Sequence, residues 1–301
     1  MLKNEPCDHT YVMQAVEELA RSRFVGRGVL THSILGREIP ILTLGQGDRC
    51  VLYVGAHHGM EWLTAGVLLD FVADYIRQCE RNAQVYERKM TTLYRERCIL
   101  VVPMLNPDGV EYAIHGVGHE NPLRERVIAM NGGEDLSAWQ ANARGVDLNH
   151  NYHAGFFSYK KQEAAEGIAC GAPTRYSGEF PESEPETAAL CRLLRQRREQ
   201  IEGILTLHSQ GEEIFCSCGD ALSAKSMSVG RVLQRLTGYR MAHPEGLAAF
   251  GGLTDWCIAE LKRPAYTLEC GKGKNPLPLS QRPVIYERLR RALFKSSTVM
   301  E

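Results

Sequence analysis

Short apolar runs alternate along this chain with segments that are apolar at helical intervals. Residues 9–24 place apolar side chains at helical spacing, and residues 26–45 alternate as a hairpin does, with Gly36 near its turn. Residues 50–55 (CVLYVG) have the length and continuity of a buried strand, and residues 62–76 are again apolar at helical intervals. A second buried strand is predicted at 98–104 (CILVVPM), closed by Asn106-Pro107-Asp108-Gly109, a sequence with turn composition. Residues 114–144 carry no firm period and read as loops over a surface. Beyond them the pattern predicts a helix over 186–200, a buried strand at 204–207 and a helix over 221–236. A helix over 254–261, a strand at 265–268 and a last helix over 281–294 complete it. No repeat, low-complexity tract or linker interrupts the pattern. The expectation is one α/β domain over 1–301, with a twisted, mostly parallel mixed sheet flanked by helices on both faces.

Composition narrows the partners. The 301 residues carry 35 Lys and Arg against 36 Asp and Glu, so no net field favours nucleic acid or an anionic membrane. The first thirty residues lack a basic start followed by an apolar run, and no apolar stretch is long enough to span a bilayer. A cytoplasmic protein is expected. Ten scattered cysteines without a CxxC pair read as mostly reduced thiols, with Cys216 and Cys218 on one face of a strand.

The chemistry gathers where apolar runs end. In open α/β sheets ligands bind beyond the carboxyl ends of strands. His58 and Glu61, spaced HxxE after CVLYVG, let one bend bring an imidazole and a carboxylate onto one ion. His208 follows the run ILTL and completes a two-His, one-carboxylate set, which leaves a coordination position for water as catalytic zinc requires. His57 is the rival ligand. Glu269 ends the run PAYTLE, where a carboxylate has no packing role, and is the candidate general base for amide hydrolysis. Arg144, in ANARGVDLNHN, is the candidate donor to a developing oxyanion. Trp62 and Trp256 read as core anchors.

GAHHGMEW, GVDLNHN, LTLHSQGE and YTLECGKGKNPLP occur in that order across residues 50–280, and together they resemble the zinc carboxypeptidase family. The resemblance implies a peptidase with one zinc ion, held by His58, Glu61 and His208, with Glu269 as the catalytic glutamate. Asn149 matches an asparagine that helps hold a substrate carboxylate, and Arg144 matches the oxyanion arginine only if the loop before GVD is shortened. Two residues depart from the family pattern. The arginine that grips a terminal carboxylate is here His150, and the tyrosine ahead of the Gly-Gly loop has only Leu247 or Phe250 near its place. LNHN combined with GKGKNPLP resembles instead the bacterial γ-D-glutamyl-meso-diaminopimelate peptidases. That resemblance implies small peptide substrates, muropeptide fragments from cell-wall stem peptides, with the γ-D-glutamyl-diamino acid amide as the bond cleaved. Such a substrate presents several carboxylates and an amine, for which Lys272 and Lys274 on one side and Asp255 on the other are candidate readers. The alternatives are a general metallocarboxypeptidase removing C-terminal residues from ordinary peptides and a zinc-binding module without turnover.

Overall fold

The computed structural model describes residues 2–216, 224–243 and 250–300. Helix α1 (His9–Leu19), capped by the Asp8 carboxylate, leads into the hairpin β1 (Val25–His32) and β2 (Glu38–Leu44), with Gly36 at φ 78° near its turn. Strand β3 (Arg49–Val54) feeds the long helix α2 (Leu63–Glu80). A two-stranded ribbon, β4 (Gln84–Val85) and β5 (Arg88–Lys89), and helix α3 (Met90–Glu96) bring the chain back to β6 (Arg97–Val102).

Three corrections follow. Asn106-Pro107-Asp108-Gly109 does not turn the chain but starts helix α4 (Pro107–His115). Asn106 Oδ1 accepts from the Gly109 amide at 2.9 Å, and Pro107 sits in the first turn, where its missing N–H costs nothing. The stretch 114–144 is not all loop, because it contains helix α5 (Arg124–Asn131). That helix buries only Val127, so it has no apolar face for periodicity to reveal. After α6 (Phe156–Ala165), α7 (Pro185–Gln196), β7 (Ile201–His208), β8 (Glu213–Phe215), α8 (Ala224–Thr237) and β9 (Arg240–Ala242), the third correction appears. The helix expected over 254–261 is a short α9 (Leu253–Trp256) that widens into a π turn over Cys257–Leu261. Strand β10 (Ala265–Glu269) and helix α10 (Gln281–Val299) end the fold. Cys218, Leu247 and the start of the helix expected from 221 lie outside the described residues.

Eight strands form one sheet in the order β1-β2-β6-β3-β7-β10-β8-β9. The central four, β6, β3, β7 and β10, are mutually parallel, while β1, β2 and β8 join antiparallel. Alternation along β3 explains the layers. Val51 and Tyr53 face the core under α1, α2 and α10, whereas Cys50, Leu52 and Val54 face the core under α7 and α9. Each fully buried Leu or Val in these layers contributes about 1.5–3 kcal/mol. Arg282 of α10 forms a buried two-pronged pair with Asp70 of α2 (2.8 and 3.0 Å), locking the helix that follows the HxxE turn. The cysteines among the described residues are free thiols, and Trp256 is wholly buried. No helix among these residues is long and apolar enough to cross a membrane.

Candidate metal centre and active-site cleft

Parallel pairing sets the site. Register places His208 opposite Glu269 where β7 and β10 end, and Val54 at the end of β3 opposite Thr206. Beyond Val54 the chain reaches His58 and tightens into a 3₁₀ turn over Gly59–Glu61. Gly59 makes that turn possible, since a Cβ there would lie 2.2 Å from the Gly109 carbonyl oxygen of α4. Asn106 Nδ2 braces the same region by donating to the carbonyls of His57 (2.9 Å) and Gln140 (3.1 Å).

Three donor atoms converge as a result. His58 Nδ1 lies 2.9 Å from Glu61 Oε1, His208 Nδ1 lies 3.0 Å from Glu61 Oε2, and the two imidazole nitrogens are 3.3 Å apart. Two ring nitrogens this close repel through their lone pairs unless a proton or cation lies between them, so the set fits a metal ion. His58 Nε2 faces Asp147 Oδ1 at 3.2 Å, a contact that would place the ring proton on that side and leave Nδ1 free for a metal ion. Burial pushes the Glu61 carboxyl up, but His58 and His208 outweigh it and hold it at about 2. Burial likewise opposes charge on His58, yet Glu61 and Asp147 raise it well above the ordinary histidine value. The same negative field favours a bound cation. His57 is excluded from the set: it is buried, stacks on His208 at 5.2 Å and meets the Tyr152 hydroxyl through Nε2 at 3.1 Å.

A cleft of about 800 Å³ opens beside these donors. Glu269, Asn149, His150 and Asp255, all singled out in the sequence, line it. Burial lifts Glu269 well above the ordinary carboxylate range, with the Glu61 charge adding and His58 opposing. Asp255 is raised to about 6 by burial. His150 is locked: Nδ1 meets the Phe250 carbonyl at 2.9 Å, and the ring stacks on Tyr159 with centroids 4.1 Å apart. Burial lowers its pKa despite Asp147, so it stands neutral where an arginine would be charged.

Two expected residues are not brought to the cleft. Asn142 Oδ1 accepts from the amides of Arg144 (3.0 Å) and Val146 (3.1 Å), and the buried carboxylate of Glu184 captures the Arg144 guanidinium at 2.9 Å. Arg144 therefore braces the loop and is not placed to meet an oxyanion. Lys272 points to Glu212 (3.1 Å) with an exposed side chain, and its neighbour Lys274 lines the cleft instead. The sequence reading missed Gln140, Thr174 and Arg175 in the cleft wall, and Asp147 behind His58. Only Asp147 carried a signal, lying two residues before Asn149 in the motif already singled out.

The family model described as zinc carboxypeptidase matches residues 12–289. The chain belongs to the zinc carboxypeptidase family. It is 30% identical over 282 residues to the gamma-D-glutamyl-L-diamino acid endopeptidase 1 of Lysinibacillus sphaericus, covering 93% of this chain and 69% of that one. It is 25% identical over 297 residues to human carboxypeptidase B, covering 92% and 66% of the two chains. Among solved structures, bovine thrombin-activatable fibrinolysis inhibitor shares the fold with a TM-score of 0.75 at 20% identity, over 99% of this chain and 98% of that one. As a zinc carboxypeptidase family member the protein is a zinc metallopeptidase using one zinc ion, and a His-Glu-His donor set is present in it.

Proposed function

We propose that this enzyme hydrolyses the γ-D-glutamyl-diamino acid amide of cell-wall stem peptides. The observation that carries the reading is His150. A neutral imidazole, fixed by Phe250 and Tyr159, stands at the position from which other family members grip a C-terminal carboxylate with arginine. Recognition must then come from separate polar groups around the cleft. Asn149, Asp255 and Lys274 supply an amide, an acid and an ammonium there, which suits a substrate carrying several carboxylates and an amine. The bond named for the Lysinibacillus relative supports the same substrate class.

His58, Glu61 and His208 would hold the zinc, which when bound activates water and polarises the scissile carbonyl. Asp147 orients His58 through Nε2. Glu269, a carboxylate with a raised proton affinity at the cleft wall, takes the water proton and delivers it to the leaving amine. Asp255 faces the amine of the diamino acid, and Asn149 holds a carboxylate by its side-chain amide. Mass-spectrometric analysis of L-Ala-γ-D-Glu-meso-diaminopimelate incubated with zinc-loaded enzyme tests the reading. Release of free diaminopimelate, abolished by a chelator, is expected. Cleavage confined to blocked ordinary dipeptides would replace it with a general metallocarboxypeptidase.

A further inference from the structure

Arg175 has a backbone that glycine would adopt more easily. Its φ is 67°, a left-handed conformation that costs a side-chain-bearing residue about 1–2 kcal/mol. Two contacts hold it there. Its amide donates to Asp147 Oδ2 at 3.0 Å, and its carbonyl accepts from the Tyr159 hydroxyl at 2.9 Å. Asp147 is the carboxylate behind His58, and Tyr159 is the ring stacked on His150. The groups that orient the metal donor and the neutral imidazole thus also fix the origin of the Arg175 side chain.

That side chain lines the cleft, is exposed and has no ion-pair partner among the described residues. Lys274 is the other Lys or Arg in the described cleft wall; it follows Gly273, at φ 117°, on a loop held by Gln281 at the Lys272 backbone (3.1 and 2.6 Å) and by Ser209 at Asn275 (2.9 Å). A guanidinium also offers a planar fork that matches a carboxylate with two parallel hydrogen bonds, which an ammonium cannot.

We propose that Arg175 is a specificity-determining residue that receives a substrate carboxylate in place of the arginine absent at His150. This rests on the substrate reading above. A γ-linked D-glutamyl residue leaves its α-carboxylate free, and meso-diaminopimelate carries two carboxylates of its own. The chemistry is shared, and single amides of the three acids separate the sources.

The test compares kcat/KM of the parent, Arg175→Gln and Arg175→Lys on L-Ala-γ-D-Glu-meso-diaminopimelate, on its D-glutamyl α-carboxamide and on each of its two diaminopimelate monocarboxamides. The parent is expected to favour the free acid over one amide by about 10- to 100-fold. Arg175→Gln loses that preference by slowing the acid and leaving that amide unchanged, and Arg175→Lys recovers part of it. Zinc content and melting temperature stay at parental values, because Asp147 and Tyr159 hold Arg175 by its backbone amide and carbonyl, which the substitutions keep. The proposal is overturned if the parent favours the acid over none of the three amides, or if Arg175→Gln keeps the parental preference or slows acids and amides alike. Should no γ-glutamyl peptide be cleaved, the substrate reading fails by itself. The same comparison on a blocked dipeptide with a free or amidated C-terminus then decides the role of Arg175.

Discussion

At the scale of single residues the site drives two carboxyls in opposite directions. Glu61 is kept ionised at about 2 by two imidazoles, while Glu269, at the end of β10, is pushed the other way by burial and by the Glu61 charge. Two carboxyls with opposed proton affinities, one facing the histidines and one lining the cleft, suit an acid–base division of labour. Glu269→Gln keeps the volume and removes the proposed base, so turnover should fall about 100- to 10,000-fold. Zinc stoichiometry should stay unchanged, because Glu269 is not among the converging donors. Steady-state rates paired with metal analysis check this, and a variant that turns over normally, or loses zinc, would remove Glu269 from the role of base. Glu269 and His208 were visible in the sequence because each polar residue closes an apolar run. Arg175 was not, since its importance comes from a φ angle and from partners 28 and 16 positions away along the chain.

At the scale of elements, the strands that carry the site were the easiest to see. β3, β6, β7 and β10 lie at the centre of the sheet and need apolar residues on both faces, which leaves continuous runs in the sequence. β8 and β9 have three residues each and no room for a pattern. Asn-Pro-Asp-Gly is ambiguous, because the residues that make a turn also cap a helix; the side chain of Asn106 decides between them only once the fold has formed. The joint between α4 and the HxxE turn can be tested directly. In Gly59→Ala the new Cβ would press on the Gly109 carbonyl oxygen at 2.2 Å, with backbone on both sides and no flexible side chain to yield. The variant should lose about 1–3 kcal/mol of stability. Zinc affinity should fall as well, since Glu61 ends the displaced turn. Thermal melts and zinc titration measure the two effects, and parental values in both would show that the turn has slack the packing does not reveal.

At the scale of the whole molecule, the same fold that exposes Glu269 to a cleft buries another glutamate where the described structure shows no chemistry. Glu186 sits fully buried in the first turn of α7. Periodicity placed it on a helix but could not show that its surroundings exclude water, because those come from segments far apart in sequence. Burial raises its pKa from 4.5 to about 8, against the nearby backbone and aided by the Glu184 charge. In the unfolded chain the group releases its proton near 4.5, whereas the native state keeps it until about 8. Between those values the native state binds more protons, so this group's contribution to stability declines as pH rises through the window. Glu186→Gln removes the titration and keeps a neutral side chain of similar shape. The variant and parent should unfold alike near pH 5, and by pH 8 the variant should be more stable by on the order of 3 kcal/mol. Urea unfolding of the zinc-loaded proteins at intervals from pH 5 to 8 supplies the comparison. Curves that stay parallel across that range would mean that Glu186 is ionised in the native state and stabilised there. In that case α7 would hold a buried charge, supported by the helix N-terminus, in place of a buried acid.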